Sequence, residues 1–162
     1  MKKVKIINLL LTFLLLVFTA VLADGKGLDI KMYGYLISFE KKGNEFVVKR
    51  NPLPENVKPD DIIEYQIVVK NPTKKSFYNV FIKAPIPKGT KYIENSSTDG
   101  AMFSIDGGKT YKNPPVKYKV KENGKEVEKT ATPDMYTNIG WNIKEIKPGE
   151  TKKFIYWVKV EK

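Results

Sequence analysis

The clearest pattern in the chain lies between Asp60 and Gly89, where two runs alternate apolar and polar residues. In the first, Ile63, Tyr65, Ile67 and Val69 alternate with Glu64, Gln66 and Lys70, the period-two signature of a half-buried strand. Asn71-Pro72-Thr73 breaks that run, because proline donates nothing to a sheet ladder and restricts the residue before it. The second run places Tyr78, Val80, Ile82 and Ala84 on one side and closes at Pro85-Ile86-Pro87. Two strands cannot bury their apolar faces alone, so the remaining chain must supply a covering sheet.

The flanking segments read as further short strands. Leu28 to Phe39 predicts a strand, bent or bulged at Gly34, and Glu45 to Lys49 its return across the Lys41–Asn44 turn. Pro52, Pro54 and Pro59 make the next connection a stiff loop. Lys91–Glu94 predicts a short strand, and Ala101–Ile105 with Lys109–Tyr111 a hairpin about Asp106-Gly107-Gly108. A second hairpin turns at Glu122-Asn123-Gly124, between Val116, Tyr118 and Val120 on one arm and Val127 on the other. In the last two strands Ile139, Trp141 and Ile143 point one way, and Phe154, Tyr156, Val158 and Val160 follow the turn at Lys147–Glu150.

Past residue 23 no segment carries a 3.6-residue apolar period over a helical length. Many short strands with Pro- and Gly-rich turns predict an all-β, immunoglobulin-like antiparallel sandwich with an extra β-hairpin. Its core is expected to contain Tyr65, Ile67, Val80, Ile82, Trp141, Phe154, Tyr156 and Val158.

The amino terminus has a different character. A basic segment, Met1 to Lys5, precedes the apolar run Ile6–Leu22, which ends in Val21-Leu22-Ala23 before Asp24. This order predicts a secretory signal peptide over residues 1–23, a flexible lead over 24–27 and one domain over 28–162. The expected address is therefore extracytoplasmic, periplasmic or secreted, with no integral membrane segment once the signal is cleaved.

The 162-residue chain contains neither cysteine nor histidine. The domain must fold without disulfides, and the commonest metal ligands, the usual neutral-pH base and the most reactive nucleophile are missing. No pair of carboxylates is brought together as glycoside hydrolysis requires. The aspartates Asp60, Asp61, Asp99, Asp106 and Asp134 lack the dense spacing of a calcium loop and read as turn formers. The expectation is a protein that is not an enzyme and uses no cofactor or metal.

Of 29 Lys and Arg, Lys2, Lys3 and Lys5 leave with the signal, so 26 basic residues face 18 acidic ones, a charge of +8. Arg50 is the only arginine, and nucleic-acid readers favour arginine; with an extracytoplasmic address this argues against nucleic acid as partner. Anionic envelope polymers remain, and Lys117, Lys119, Lys121, Lys125 and Lys129 on one hairpin form a candidate polyanion-binding cluster. A second candidate is apolar. Phe81, Ile155 and Trp157 lie on the polar phases of their strands, and an immunoglobulin-like order would put them on one partner-binding face across Gly140 and Asn142. The alternative is that the Val116–Val127 hairpin covers this face as a small second core.

Several motifs occur in the order of a known family. Asp60-Asp61-Ile62-Ile63-Glu64-Tyr65-Gln66-Ile67-Val68-Val69-Lys70-Asn71 resembles the opening strand of domain of unknown function eleven, the conserved repeat domain of prokaryotic surface proteins. Asn79-Val80 through Pro87-Lys88-Gly89-Thr90 is similar to its next segment. Ser104–Tyr111, Tyr136–Trp141 and Lys147–Glu150 resemble its later signatures, so the likeness spans roughly residues 45–162. The resemblance implies an immunoglobulin-like sandwich in exported or envelope-attached proteins and implies no catalytic residues. The function expected is an exported module that binds or scaffolds a protein or glycan of the cell envelope, with a basic glycan- or polyanion-binding protein as the alternative.

Overall fold

The computed structural model describes residues 27–162; the predicted signal peptide and most of the lead lie outside the described residues. Ten strands follow one another: β1 (Asp29–Lys42), β2 (Glu45–Pro52), β3 (Ile62–Lys70), β4 (Phe77–Pro85), β5 (Thr90–Tyr92), β6 (Met102–Ser104), β7 (Lys117–Glu122), β8 (Lys125–Thr130), β9 (Asn138–Ile146) and β10 (Thr151–Val160). One 3-10 turn at Pro133–Met135 is the sole helical element among the described residues. The strands form a five-stranded sheet in the order β2-β1-β3-β10-β5, a three-stranded sheet β4-β9-β6, and the separate hairpin β7-β8. All pairings are antiparallel. The fold is an all-β sandwich with an extra hairpin, as the alternation of the sequence predicts.

The alternation in β3 places Ile63, Tyr65, Ile67 and Val69 between the sheets, each nearly inaccessible. Phe154, Tyr156, Val158 and Val160 enter from β10, and Ile82, Ala84, Ile139, Trp141 and Ile143 from the small sheet. Within the large sheet Tyr65 stacks on its register partner Tyr156 at 5.3 Å, and between the layers Trp141 meets Phe154 at 5.1 Å. The Trp141 indole N–H donates to the Thr98 carbonyl at 3.0 Å and the Tyr156 hydroxyl to the Pro85 carbonyl at 2.7 Å, so both buried polar atoms are satisfied. Seven of the eight expected core residues are buried, and Val80 is half-buried against the same cluster.

Two local expectations change. Strand β1 runs through Gly34 without a bulge, in continuous register with β3. Glycine is needed there for space, because a Cβ at Gly34 would stand 2.9 Å from the Leu53 side chain. In β4 Tyr78 does not share the side of Val80: it is 64% exposed, and Phe77 packs on the core instead. Asn79 takes a left-handed φ of 52°, a conformation asparagine tolerates, and no 79–144 pair interrupts the gap in the ladder. Beyond it the inward side passes from Val80 and Ile143 to the Phe77–Ile146 pair, three positions along.

The 101–111 segment is also more divided than a simple hairpin. β6 pairs with β9, and Phe103 and Lys112 form an isolated bridge around the turn. Asp106 organises that turn by accepting the hydroxyls of Ser104 and Thr110 and the backbone N–H groups of Lys109 and Thr110. These four donors hold its carboxyl far below the ordinary aspartate range.

Candidate functional site

The last two strands decide where the candidate aromatic face lies. They are not neighbours. β9 sits in the small sheet between β4 and β6, whereas β10 pairs with β3 and β5 in the large one. The intervening turn is tied to the end of β3, with the Gly149 N–H donating to the Asn71 carbonyl at 2.8 Å and the Asn71 N–H to the Glu150 carbonyl at 2.9 Å. The chain thus crosses from one layer to the other, and Trp141 and Phe154 face each other through the core.

The expected face of Phe81, Ile155 and Trp157 is therefore split. Phe81 lies outside the small sheet, paired with Asn142 and packed so closely over Gly140 that a Cβ there would stand 2.7 Å from its ring. Its cover is Tyr111, edge-on at 4.9 Å, rather than the β7–β8 hairpin. Ile155 and Trp157 lie outside the large sheet, opposite Gln66 and Glu64 of β3.

Around Trp157 the structure gathers a set of residues that sequence reading did not assemble. Residues directly paired across antiparallel strands share a face. By that register Tyr33, Tyr35, Ile37 and Phe39 of β1 lie on the outer face with Glu64 and Gln66 of β3 and with Val48 and Arg50 of β2. Phe46 follows beside Lys41 near the tip of the β1–β2 hairpin. Four of these, Tyr33, Phe39, Phe46 and Val48, are exposed, Phe46 to 70%, and the Phe39 ring lies 6.4 Å from that of Trp157.

Glu64 is the centre of this face. Its side chain is wholly inaccessible, yet it lies on the outward phase of β3. Arg50 covers it with a two-pronged contact, Nε to Oε1 at 2.7 Å and Nη2 to Oε2 at 3.0 Å. Gln66 Nε2 donates to Oε1 at 2.5 Å and the Trp157 indole N–H to Oε2 at 2.8 Å. Burial pushes the carboxyl pKa up, but the hydrogen bonds from Arg50, Gln66 and Trp157 and the charge of Arg50 outweigh it and hold it below the ordinary glutamate value. The bond to Glu64 likewise raises the Arg50 pKa against the opposing effect of burial. One buried anion thus fixes the guanidinium and the indole, both of which reach the surface.

The signals for this site were the lone arginine and a glutamate on the polar phase of the most regular strand. Period-two alternation assigns such a glutamate to solvent, and only the β1–β2 pairing brings Arg50 over it.

The candidate lysine cluster has a different environment. On the β7–β8 hairpin Lys117 pairs with Glu128 at 2.9 Å, Lys119 with Glu126 at 3.3 Å, and Lys129 with Glu122. Lys121 and Lys125 stand opposite Glu126 and Glu122 in the register. The five lysines share the hairpin with Glu122, Glu126 and Glu128, which cuts the surplus to two charges and draws the cations along the hairpin.

Among the described residues no group of three or more Asp and Glu side chains is placed to hold a metal ion. Comparison with family models, curated proteins and solved structures finds no match to this chain.

Proposed function

We propose that this protein is a non-catalytic, extracytoplasmic binding module that engages a component of the cell envelope through the outer face of its five-stranded sheet. The observation that carries the reading is the buried Glu64, which holds Arg50 and Trp157 at the surface beside exposed Tyr33, Phe39 and Phe46. Large exposed apolar groups gathered on one sheet face mark interaction surfaces, and Tyr, Trp and Arg are the residues most often dominant in them. The leader-like order of residues 1–23 supports an extracytoplasmic address, and the segments that resemble the conserved repeat domain of surface proteins support a role in binding rather than catalysis.

Sedimentation with envelope fractions of the producing cell tests the reading. Trp157→Ala is expected to lose co-sedimentation at least ten-fold, while Phe81→Ala on the opposite outer face retains it. Amino-terminal sequencing of the native protein tests the address, with Asp24 expected first; Met1 retained in a cytoplasmic fraction would contradict it.

A further inference from the structure

The outer face of the large sheet is linear as well as aromatic. Along β1 the outward residues are Lys31, Tyr33, Tyr35, Ile37, Phe39 and Lys41, a row with a cation at each end. At about 3.3 Å per residue this row is about 33 Å long. Trp157 stands beside it at Phe39, and Arg50 crosses it at Ile37 to reach Glu64.

The face is also positively charged. On β1, β2, β3 and β10 the outward phase carries Lys31, Lys41, Arg50, Lys70, Lys153 and Lys159 against Asp29 and Glu64, a surplus of four. Lys31 meets Asp29 at 3.5 Å, and Lys159 meets Asp60 at 3.2 Å. Lys41, Lys70 and Lys153 form no ion pair among the described residues. Arg50 has five N–H donors and uses two on Glu64, so the others are presented to whatever lies on the face.

We infer that the occupant of this face is an anionic polysaccharide, its sugar rings stacked along the β1 aromatic row and its carboxylate, sulfate or phosphate groups on Arg50 and the flanking lysines. The inference rests on the proposed use of this face and adds the chemistry of its ligand. A linear charged glycan presents apolar ring faces and anionic groups along one line, and this face offers exposed rings at Tyr33 and Phe39, Arg50 between them over the buried Ile37, and a lysine at each end of β1. An extended acidic peptide fits less well. Lying on a sheet face it leaves its own backbone donors unpaired, and peptides that bind sheets add to an edge instead. A planar guanidinium held by a buried carboxylate matches the two-oxygen geometry of anionic groups better than lysine does.

Trp141 is 1% exposed and Trp157 half-buried at the surface, so acrylamide quenching of tryptophan emission reports chiefly Trp157. The probes are polygalacturonate and dextran sulfate, with neutral dextran and phosphatidylglycerol vesicles for comparison. At least one anionic polymer is expected to shield Trp157, and neutral dextran to leave it open. Affinity is expected to fall at least ten-fold between 50 and 300 mM salt, and at least ten-fold in both Arg50→Lys and Tyr33→Ala/Phe39→Ala. The last pair replaces exposed side chains, so its unfolding midpoint separates lost binding from lost folding. Binding to neither anionic polymer, or equal binding by the folded double variant, overturns the inference. Vesicle binding in place of polymer binding, lost in the same variants, overturns it in favour of a lipid surface and leaves the proposed use of the face standing. Envelope co-sedimentation unchanged in Trp157→Ala removes that proposal too.

Discussion

Two surfaces of this molecule are rich in lysine, and they differ in what surrounds the charge. On the β7–β8 hairpin, three of the five lysines reach glutamates of the same two strands, and the remaining two stand opposite glutamates. On the outer face of the large sheet the acids are few, one of them is buried, and the cations border a row of aromatic rings. The hairpin spends its charge on its own two strands, in exposed pairs each worth about 0–1 kcal/mol. On the sheet face Lys31, Arg50 and Lys159 are paired, whereas Lys41, Lys70 and Lys153 form no ion pair among the described residues. A lysine count along the chain ranks the hairpin first; the pairing of strands reverses the order.

The largest expected difference between the two surfaces is in stability. Arg50→Ala removes the cover and the paired charge of the Glu64 carboxylate and leaves it only Gln66 and Trp157 as donors. Breaking a fully buried pair costs about 3–5 kcal/mol. Because the Arg50 side chain is 45% exposed, about 2 kcal/mol is expected here, read by urea unfolding. Lys119→Ala on the hairpin is expected to cost less than about 0.5 kcal/mol in the same measurement. Equal losses would make the two surfaces alike.

Acid sharpens the contrast. Glu64 has its pKa lowered in the fold, so the stability it contributes is fully present above its unfolded value of 4.5 and is lost as the pH falls below that value through the folded one. Glu128 is lowered in the same direction by Lys117, but it is exposed and its effect is screened by salt. Between pH 4.5 and the folded pKa of Glu64, Trp157 emission is expected to change together with stability, and Glu64→Gln to flatten both profiles. Added salt is expected to erase only the hairpin's share. An acid limb independent of Glu64 would remove the special role of that carboxylate.

Much of the sandwich was legible because β3, β9 and β10 alternate cleanly around Tyr65, Trp141 and Tyr156, and burial rewards one register. What alternation does not encode is which strands are neighbours. Strands β9 and β10 follow one another through a four-residue turn, as a hairpin does, yet the Asn71 backbone bonds take the chain into the other sheet. That single crossing separates Phe81 from Trp157. The Glu64 site stayed hidden for a related reason, since its donors come from three strands and sit 14, 2 and 93 residues away in sequence. The Tyr78 exchange with Phe77 depends on one left-handed asparagine, which a period-two count passes over.

The hairpin itself is expected to be dispensable. Its base is closed by the Ala131 N–H donating to the Val116 carbonyl at 2.8 Å, and both residues are buried. Replacing Lys119–Glu128 by an Asn-Gly turn is expected to change stability by less than about 1 kcal/mol, the level of ordinary surface changes. A collapse of the unfolding transition would show instead that the hairpin supports the core.

A separate effect belongs to the inner side of β3, away from both surfaces. Tyr65 is 2% exposed, its hydroxyl has no partner among the described residues, and burial pushes its pKa up to about 12. Its neutral form contributes stability that is complete below pH 10 and lost as the pH rises from 10 toward 12. Tyr65→Phe is expected to raise stability at neutral pH by about 1 kcal/mol and to reduce this alkaline loss. Destabilisation by Tyr65→Phe would mean that the hydroxyl is satisfied after all.

The claim that the sheet face, not the hairpin, meets the partner is tested most directly by one paired measurement. Envelope co-sedimentation is compared between Tyr33→Ala/Phe39→Ala and a variant with Lys117, Lys119, Lys121, Lys125 and Lys129 all changed to glutamine. The account predicts at least a ten-fold loss for the aromatic pair and near wild-type binding for the neutralised hairpin. Retained binding in the first with loss in the second would contradict it.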